Sequence, residues 1–304
     1  MRDTQVLVTG AGGFLASALL GRVAAAWPMA RVTGIGRGAA KGPGLHEAVQ
    51  LDLNDLPALD QVIARLRPDI VFHLAGRLAG DWAALYRDNL FATHALLDAL
   101  SLHAPAARIV VVGSAAECGI LGPGCLPVLE DHPLHPVSAY GASKAAQSLA
   151  ARSYAFRGLH VLVARVFNIV GRGTPADTAL GAFAEQLRAI GQGRVEPLMR
   201  VGNLATRRDF VDVGDIASAL CALARQGVAG ELYNVCSGQS SEIGDLLTRM
   251  IVLSGLEVRV EAEAMRLRPV DVPEVYGSFA KINAACGWAP CVTLSDSLLA
   301  TLDG

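Results

Sequence analysis

The stretch Thr9-Gly10-Ala11-Gly12-Gly13-Phe14-Leu15-Ala16 lies between an apolar strand-like run and a longer apolar run with helical character. In this order, Gly10 allows a tight turn after the strand, and Gly13 lets the backbone approach a pyrophosphate. The first turn of the helix then offers free N–H groups and the positive end of the helix dipole to the phosphates. The stretch therefore predicts a dinucleotide-binding βαβ unit at the start of the chain, the alternative being a turn needed only for packing.

Short apolar runs alternate with longer amphipathic runs through the first half of the chain. The predicted strands are Val6–Thr9, Arg31–Ile35, Ala48–Leu51, Ile70–His73, Arg108–Val112 and His160–Val166. The predicted helices are Phe14–Ala26, Leu56–Leu66, Trp82–His103 and Ala139–Phe156. Val, Ile and Leu fill both faces of the strands, which is typical of a parallel sheet with helices on both sides. The pattern predicts an α/β fold with a Rossmann-type doubly wound parallel sheet.

The regular alternation weakens after Val170, where Gly, Pro and Arg become more frequent. Helices are predicted there at Leu180–Ile190, Ile216–Arg225 and Ile243–Leu253, with a strand at Leu232–Cys236. We therefore expect two lobes that are interleaved in the sequence. Residues 1–168 with about 206–236 would form the cofactor-binding domain, and about 169–205 with 237–304 a smaller α/β lobe for the substrate.

The composition limits the class of protein. The chain has 304 residues, of which 52% are hydrophobic and 18% are charged, and its net charge is −2. A chain this apolar is not disordered, and it lacks the basic excess of nucleic-acid binders and polybasic membrane anchors. No apolar run reaches the roughly 18 residues of a membrane-spanning helix.

The cysteines and the first residues indicate the compartment. Six cysteines occur without the spacing or the histidine neighbours of a metal site, so we expect reduced thiols and no metal. The first residues lead directly into a strand and leave no room for a signal peptide, which favours a cytoplasmic protein.

The second predicted strand indicates which dinucleotide binds. An acidic residue at this strand end normally holds the 2′-hydroxyl of NAD(H), but no Asp or Glu occurs between Thr4 and His46. Arg37 lies there instead and suits a 2′-phosphate, so NADP(H) is favoured, with NAD(H) as the alternative. The other interpretation of Arg37 is an exposed loop charge. Asp52 and Leu53 close the third strand, where Asp52 would contact the adenine or, alternatively, cap a helix.

Three polar residues form a pattern typical of proton transfer to a carbonyl oxygen. Tyr140 and Lys144 are four residues apart in a predicted helix, so both side chains lie on one face. Free tyrosine titrates near pH ~10, and an adjacent ammonium favours the phenolate, so Lys144 is expected to lower the pKa of Tyr140. Ser114 follows the fifth strand, at the edge where doubly wound sheets bind ligands, and its hydroxyl would hold the same oxygen. The alternative for Ser114 is an ordinary loop serine.

With these motifs the chain resembles the extended short-chain dehydrogenases/reductases, in the branch that modifies nucleotide sugars, over essentially its whole length. The segments that carry the resemblance are Thr9–Ala16, His73–Gly76, Asn89, Ser114–Gly119, Tyr140–Lys144, Arg165–Asn168, Arg208–Val213, Tyr233–Val235, Arg268–Pro273 and Gly287–Pro290. The last two segments most resemble the GDP-4-keto-6-deoxy-D-mannose reductases.

The resemblance implies a role for each matching residue. Tyr140 would be the acid/base, Lys144 its tuner and a ribose ligand, and Ser114 the hydroxyl that orients the carbonyl. The residues expected to bind the cofactor are Gly10, Gly13, Phe14, Leu15, Arg37, Asp52, Leu53, Leu74, Ala75, Gly76, Asn89, Tyr140, Lys144 and Phe167. The residues expected to bind the substrate are Ser114, Asn168, Arg208, Arg268 and Asp271. The two arginines suit a diphosphate, the alternative being ordinary ion pairs.

The resemblance also implies the reaction, which is NADPH-dependent reduction of the 4-keto group of a nucleotide-linked 4-keto-6-deoxy hexose, with a GDP-linked sugar favoured. Related 4,6-dehydratases carry acids where this chain has Ala115 and Ala116, and Glu117 is one position late, so water elimination is not expected. A sugar-nucleotide 4-epimerase with retained NAD is the first alternative, and a non-catalytic dinucleotide-sensing protein is the second. The family forms two-fold dimers through its long helices, here Trp82–His103 and Ala139–Phe156, so a homodimer is implied. Neither nucleic acid nor a membrane is expected as a partner.

Overall fold

The structure, a computed structural model, describes residues 3–122, 124–263, 265 and 271–304. Its strands are β1 (Gln5–Thr9), β2 (Arg31–Gly36), β3 (Glu47–Gln50), β4 (Ile70–His73), β5 (Arg108–Ser114), β6 (His160–Val166), β7 (Asn168–Val170), β8 (Leu198–Val201), β9 (Arg207–Arg208), β10 (Phe210–Asp212), β11 (Leu232–Val235), β12 (Ser241–Glu242), β13 (Arg259–Ala262) and β14 (Glu274–Val275). Its α-helices are α1 (Phe14–Ala26), α2 (Leu56–Leu66), α3 (Trp82–Tyr86), α4 (Ala92–His103), α5 (Ala139–Ser153), α6 (Ala179–Gly191), α7 (Val213–Gln226), α8 (Ile243–Ser254), α9 (Ala280–Cys286) and α10 (Leu294–Asp303).

The central sheet reverses its strand order in the middle. Within the described ranges, seven strands pair in parallel in the order β11-β6-β5-β4-β1-β2-β3. The chain moves outward from β1 through β2 and β3, then returns to pair β4 on the other side of β1. Such a reversal opens a crevice at the carboxyl ends of the strands, where doubly wound folds bind their ligands. The predicted α/β doubly wound fold is confirmed.

Helices cover both faces of this sheet. On one face, α1 packs against α7 over a buried cluster that includes Leu19 and Leu220. On the other face, α2 packs against α4 over a second cluster that includes Ile63 and Leu97. Because the sheet is covered on both sides, strands such as β4, β5 and β6 contain consecutive buried apolar residues, which is the pattern that predicts them from the sequence.

The helix predicted at Trp82–His103 is interrupted. A π-helical turn spans Arg87–Phe91 and joins α3 to α4. A π-helical turn widens the helix locally and is frequent at functional sites. Here the consecutive residues Asp88 and Asn89 are both buried. Sequence periodicity does not reveal such a turn, because the helical pattern continues on both sides of it.

A third buried cluster lies outside the central sheet. Helices α6, α8 and α10 pack together around residues such as Phe183, Leu247 and Leu298. Helix α9 does not belong to this group, because its Ile282 and the following Trp288 lie in the cluster beneath α1 and α7. The division of the chain into two lobes, as inferred from the sequence, stays a prediction.

None of the helices in the described ranges is both long enough and apolar enough to cross a bilayer. All six cysteines are free. Among the described residues, no three His, Cys, Asp or Glu side chains are grouped as they would be around a metal ion. The cytoplasmic location stays a prediction.

Burial determines how much each leucine of α2 contributes to stability. Leu59 is 1% exposed and packs in the core, whereas Leu56 on the same helix is 59% exposed. Leu59→Ala removes buried methyl groups and leaves a cavity, so we expect the free energy of unfolding to fall by about 3 kcal/mol. Leu56→Ala makes the same change at the surface and should lower it by less than about 0.5 kcal/mol. Denaturant titration measures both values, and equal losses would contradict this packing of α2.

Candidate active site

The glycine turn after β1 is closed by contact with the loop after β4. Gly10 has a φ of +69°, and a Cβ at this position would lie 2.7 Å from the backbone nitrogen of Ala75. The N–H of Gly13 donates to the carbonyl of Gly10 at 2.9 Å, and Gly13 is the N-cap of α1. Only glycine fits at position 10, and the open amino terminus of α1 that follows suits a phosphate group.

The loop Leu74–Gly76 lies between this turn and helix α5. A Cβ on Gly76 would lie 3.0 Å from Asn89 Oδ1 and 4.0 Å from Lys144 Nζ. Asn89 accepts the N–H of Arg77 at 2.6 Å and donates to the Arg77 carbonyl at 3.0 Å. It also donates to Ser143 Oγ on α5 at 2.8 Å. The hydrogen bonds of Asn89 therefore hold the end of this loop against α5. A direct contact between Asn89 and a cofactor stays a prediction.

The acidic residue after β3 is held in a turn rather than at a helix end. Asp52 accepts hydrogen bonds from the Asn54 N–H at 3.0 Å and the Asn54 side chain at 2.9 Å. These hydrogen bonds hold the pKa of Asp52 below its usual value. The N-cap of α2 is Asp55, which accepts the Ala58 N–H, so the helix-cap interpretation of Asp52 is wrong. Leu53 beside it is buried.

The other expected cofactor residues occupy different environments. Phe14 and Leu15 form the first turn of α1, with Leu15 in the core and Phe14 partly buried. Arg37 donates to Asp88 Oδ2 at 3.0 Å. Phe167 is buried in a small cluster at the end of β6. Their contacts with a cofactor stay predictions.

Ser114 and Tyr140 meet at the carboxyl edge of the sheet. Ser114 is the last residue of β5, and Tyr140 is in the first turn of α5, whose N-cap Ser138 accepts the Gly141 N–H at 3.0 Å. The Ser114 hydroxyl lies close enough to the Tyr140 phenol to favour its ionised form. One turn further along α5, Lys144 Nζ donates to the Val112 carbonyl at 2.6 Å. The structure thus brings the three predicted catalytic residues together.

The pKa of Tyr140 differs from the sequence-based expectation. Burial raises the pKa of the phenol above its usual value, the Ser114 hydrogen bond opposes this rise, and the negative charge of Glu117 adds to it. The expected lowering by Lys144 is wrong for this arrangement, because burial outweighs the effects that favour the phenolate. Tyr140 is therefore a protonated phenol at neutral pH and is available as an acid.

The ammonium of Lys144 is buried. Burial lowers its pKa from 10.5 to about 8, and the charge of Glu117 acts in the opposite direction. At neutral pH the side chain is still mainly charged. Lys144 consequently places a positive charge one helical turn from Tyr140 on α5.

Glu117 holds Ser114 in place from inside the protein. Its carboxylate accepts the Ser114 N–H at 2.7 Å and the Ser148 hydroxyl at 2.8 Å, and it pairs with Arg165 Nε at 3.4 Å. Burial raises its pKa, and the Arg165 charge opposes this rise. A fully buried carboxylate with three donors acts as a positioning group. The expectation that Glu117 does not replace a dehydratase acid stays a prediction. The sequence signal for this role was the capping-box spacing from Ser114 to Glu117.

The expected substrate residues lie in two groups. Asn168 donates to the Asp209 carbonyl at 2.8 Å. Arg208 Nη2 donates to Asp271 Oδ1 at 2.8 Å, so the structure pairs two of the predicted residues and matches the ion-pair alternative for this arginine. Arg268 lies outside the described residues. Substrate contacts of Asn168, Arg208 and Asp271 stay predictions.

Comparison with known proteins identifies the family of the chain. The model of the NAD dependent epimerase/dehydratase family matches residues 6–236 of the chain. The chain belongs to this family. A GDP-6-deoxy-D-mannose reductase of Pseudomonas aeruginosa is 32% identical over 98% of this chain and 96% of the relative. A UDP-glucose 4-epimerase of Azospirillum brasilense is 29% identical over 94% of this chain and 87% of the relative.

Among solved structures, that of RMD from Pseudomonas aeruginosa complexed with NADPH has a TM-score of 0.86 and 30% identity to this chain. The match covers 99% of this chain and 97% of the other. The family match and the fold agree. The protein is an NAD(P)-dependent oxidoreductase of the extended short-chain dehydrogenase/reductase type.

The buried ammonium of Lys144 makes stability depend on pH. Its pKa is about 8 in the folded protein, against 10.5 as the usual value. Between these values the unfolded chain binds more protons, so this group makes the folded protein more stable as the pH rises. Relative to Lys144→Met, the wild type should gain up to about 3 kcal/mol in free energy of unfolding from neutral pH to about pH 10.5. Denaturant titration along this pH range tests the effect, and parallel curves for the two proteins would contradict it.

Proposed function

We propose that the protein reduces the 4-keto group of a nucleotide-linked 4-keto-6-deoxy hexose, with NADPH as the reductant. The observation that carries the proposal is the placement of Ser114 and Tyr140 together at the sheet edge, with Ala115 and Ala116 where a dehydratase needs acids. Two alanines move no proton, so these residues support reduction of an existing ketone. The similarity to the Pseudomonas GDP-6-deoxy-D-mannose reductase favours a GDP-linked sugar.

The chain's own residues would supply and stabilise the proton transfer. NADPH, when bound, provides the hydride for the keto carbon. Tyr140 is protonated at neutral pH, which is the form that donates to a developing alkoxide. The Ser114 hydroxyl, which lies near the phenol, would donate to the same oxygen and stabilise its charge. Lys144 would stabilise the phenolate that remains, since its ammonium is mainly charged at this pH.

The residues around the glycine turn fit NADP(H). Gly10 leaves no side chain between the turn and the Leu74–Gly76 loop, and the open start of α1 suits a pyrophosphate. Arg37 follows β2 and supplies a positive charge where NAD-binding proteins place an acid. The similar Pseudomonas structure is complexed with NADPH, which favours NADP(H) over NAD(H).

A sugar-nucleotide 4-epimerase is the second candidate, and the similarity to the Azospirillum UDP-glucose 4-epimerase favours it. An epimerase oxidises and re-reduces its substrate, so it would retain NAD tightly through purification. The proposed reductase would instead consume one NADPH for each ketone reduced. A non-catalytic sensor is the third candidate. It would bind the dinucleotide but would neither reduce a keto sugar nor epimerise a sugar nucleotide.

Replacing the proposed acid tests the mechanism. With NADPH and GDP-4-keto-6-deoxymannose, Tyr140→Phe should lower the rate of nicotinamide absorbance loss by about 10²–10⁴-fold, because the alkoxide loses its proton donor. Ser114→Ala should slow the reaction by about 10²-fold, as does removal of an oxyanion donor. Ser153→Ala, on the same helix but exposed and bonded to its own backbone, is the matched control. A Tyr140→Phe protein with the wild-type rate would refute the mechanism.

We propose further that the protein is a homodimer formed by α3, α4 and α5. These helices pack against one another and expose large apolar side chains. The exposed residues are Trp82, Phe91, Leu102 and Leu149, with Phe156 just after α5. Exposed apolar side chains concentrated on adjacent helices are typical of a protein–protein interface. A second copy of the same surface, related by a two-fold axis, would cover them.

Charge placed on this surface should dissociate the dimer. Phe91→Glu combined with Leu149→Glu would bury two like charges per subunit, so sedimentation should show monomers at concentrations where the wild type is dimeric. Val252→Glu, at an exposed apolar residue of α8, is the control and should leave the dimer intact. A wild type that sediments as a monomer would disprove the dimer.

A further inference from the structure

Three arginine side chains converge on one buried carboxylate near the end of β2. Arg77 Nε donates to Asp88 Oδ2 at 2.7 Å, and Arg37 Nη1 donates to the same oxygen at 3.0 Å. Arg87 Nε donates to Asp88 Oδ1 at 2.9 Å. Asp88 is 6% exposed, whereas the three arginines are between 32% and 54% exposed. We call Arg37, Arg77 and Arg87 the arginine cluster.

Local structure fixes the position of each member. The π-helical turn buries Asp88 beside Asn89, and Asn89 binds both the N–H and the carbonyl of Arg77. Arg37 directly follows β2, and its carbonyl accepts the Gln50 side chain at 3.0 Å. Backbone and carboxylate together hold guanidinium groups from three segments on one small surface. This degree of preorganisation is typical of a binding site.

The charges of the cluster do not cancel. Three guanidinium groups contact a single carboxylate, so these direct contacts join three positive charges to one negative charge. Asp52 also acts on Arg37 from a greater distance. The acids Asp52 and Asp81 also act on Arg87, but more weakly than Asp88. Two guanidinium groups share one oxygen of Asp88, and a further anion between them would reduce their mutual repulsion. Each guanidinium still has free N–H donors, because one hydrogen bond uses only one of five.

The cluster lies beside the glycine turn. A Cβ on Gly36, next to Arg37, would lie 3.8 Å from the Ala11 nitrogen and 3.9 Å from the Gly12 nitrogen. Arg77 directly follows Gly76, which lies close to Lys144. A dinucleotide with its pyrophosphate at the turn would therefore carry its adenosine end toward the cluster. The anion that this end carries in NADP(H), and lacks in NAD(H), is the 2′-phosphate.

We propose that Arg77 and Arg87 act with Arg37 as the 2′-phosphate site, and that Asp88 is the positioning residue that gathers them. Arginine suits this role because its planar fork binds two phosphate oxygens at once. The inference rests on the proposed use of NADPH and extends it to residues from two further segments.

Calorimetric titration with two fragments isolates the 2′-phosphate. Adenosine 2′,5′-bisphosphate and adenosine 5′-monophosphate differ only in this group, so neither substrate nor turnover enters the measurement. For Arg77→Gln and for Arg87→Gln, we expect the affinity for the bisphosphate to fall about tenfold, the usual size of a lost charged hydrogen bond. The affinity for the monophosphate should stay within about twofold, which also shows that the variants are folded. Arg200→Gln is the control, since Arg200 is 51% exposed and paired with a carboxylate, much like Arg87 at 53%.

Each outcome separates this inference from the proposed function. Preference of the wild type for the bisphosphate, lost in both variants and weakened by added salt, supports the cluster. If both variants keep the full preference for the bisphosphate over the monophosphate, the proposed roles of Arg77 and Arg87 are wrong. The proposed NADPH-dependent reduction is unaffected by that result. Equal binding of the two fragments by the wild type overturns the cluster together with the NADP(H) preference. NADPH and NADH, titrated in the same way, should repeat the pattern.

Discussion

The buried carboxylate of Glu117 joins the elements that hold the catalytic groups. Its partners come from β5, α5 and β6, through the Ser114 N–H, the Ser148 hydroxyl and the Arg165 guanidinium. Removing an acid and a guanidinium from water is unfavourable unless both are paired and hydrogen-bonded. Loss of either partner would leave one buried charge uncompensated. The position of Ser114 relative to α5 is therefore tied to the stability of the interior.

The same carboxylate influences the charge of both proposed catalytic side chains on α5. Its negative charge raises the pKa of Tyr140 and of Lys144. Burial also raises the pKa of the Tyr140 phenol, whereas it lowers the pKa of the Lys144 ammonium. The combined result is a neutral phenol beside a mainly charged lysine at neutral pH. This is the starting state that a proton donor needs, since the phenol gives its proton only when an alkoxide forms next to it.

The parts of the structure that the sequence predicted are those with a local cause. The strands of the sheet are short apolar runs, and Gly10 lies where only glycine fits the turn. The four-residue spacing of Tyr140 and Lys144 is enough by itself to put both side chains on one face of a helix. Interactions between distant segments were not visible in this way. Arg37 and Asp88 are 51 residues apart, and no local pattern indicates that they touch.

The structure differs from the sequence-based predictions in two further features. The π-helical turn at Arg87–Phe91 keeps the helical periodicity on both sides, so its local widening leaves no mark in the sequence pattern. The pKa of Tyr140 was predicted from one neighbour, Lys144, whereas burial of the phenol is the larger effect. Burial depends on how segments far apart in the chain cover the phenol. A charge argument made from spacing alone therefore gave the wrong direction.

Two buried acids, Glu117 and Asp88, give opposite electrostatic results at the two sides of the proposed cofactor site. Glu117 pairs with one guanidinium, that of Arg165, so the charges of this pair cancel beside the residues that would reduce a neutral ketone. Asp88 contacts three guanidinium groups, and the excess positive charge remains at the surface. The number of cations around each acid, rather than the acid itself, sets the local field. A near-neutral chain can thus present an anion-binding surface at one end of the crevice and a proton-transfer site at the other.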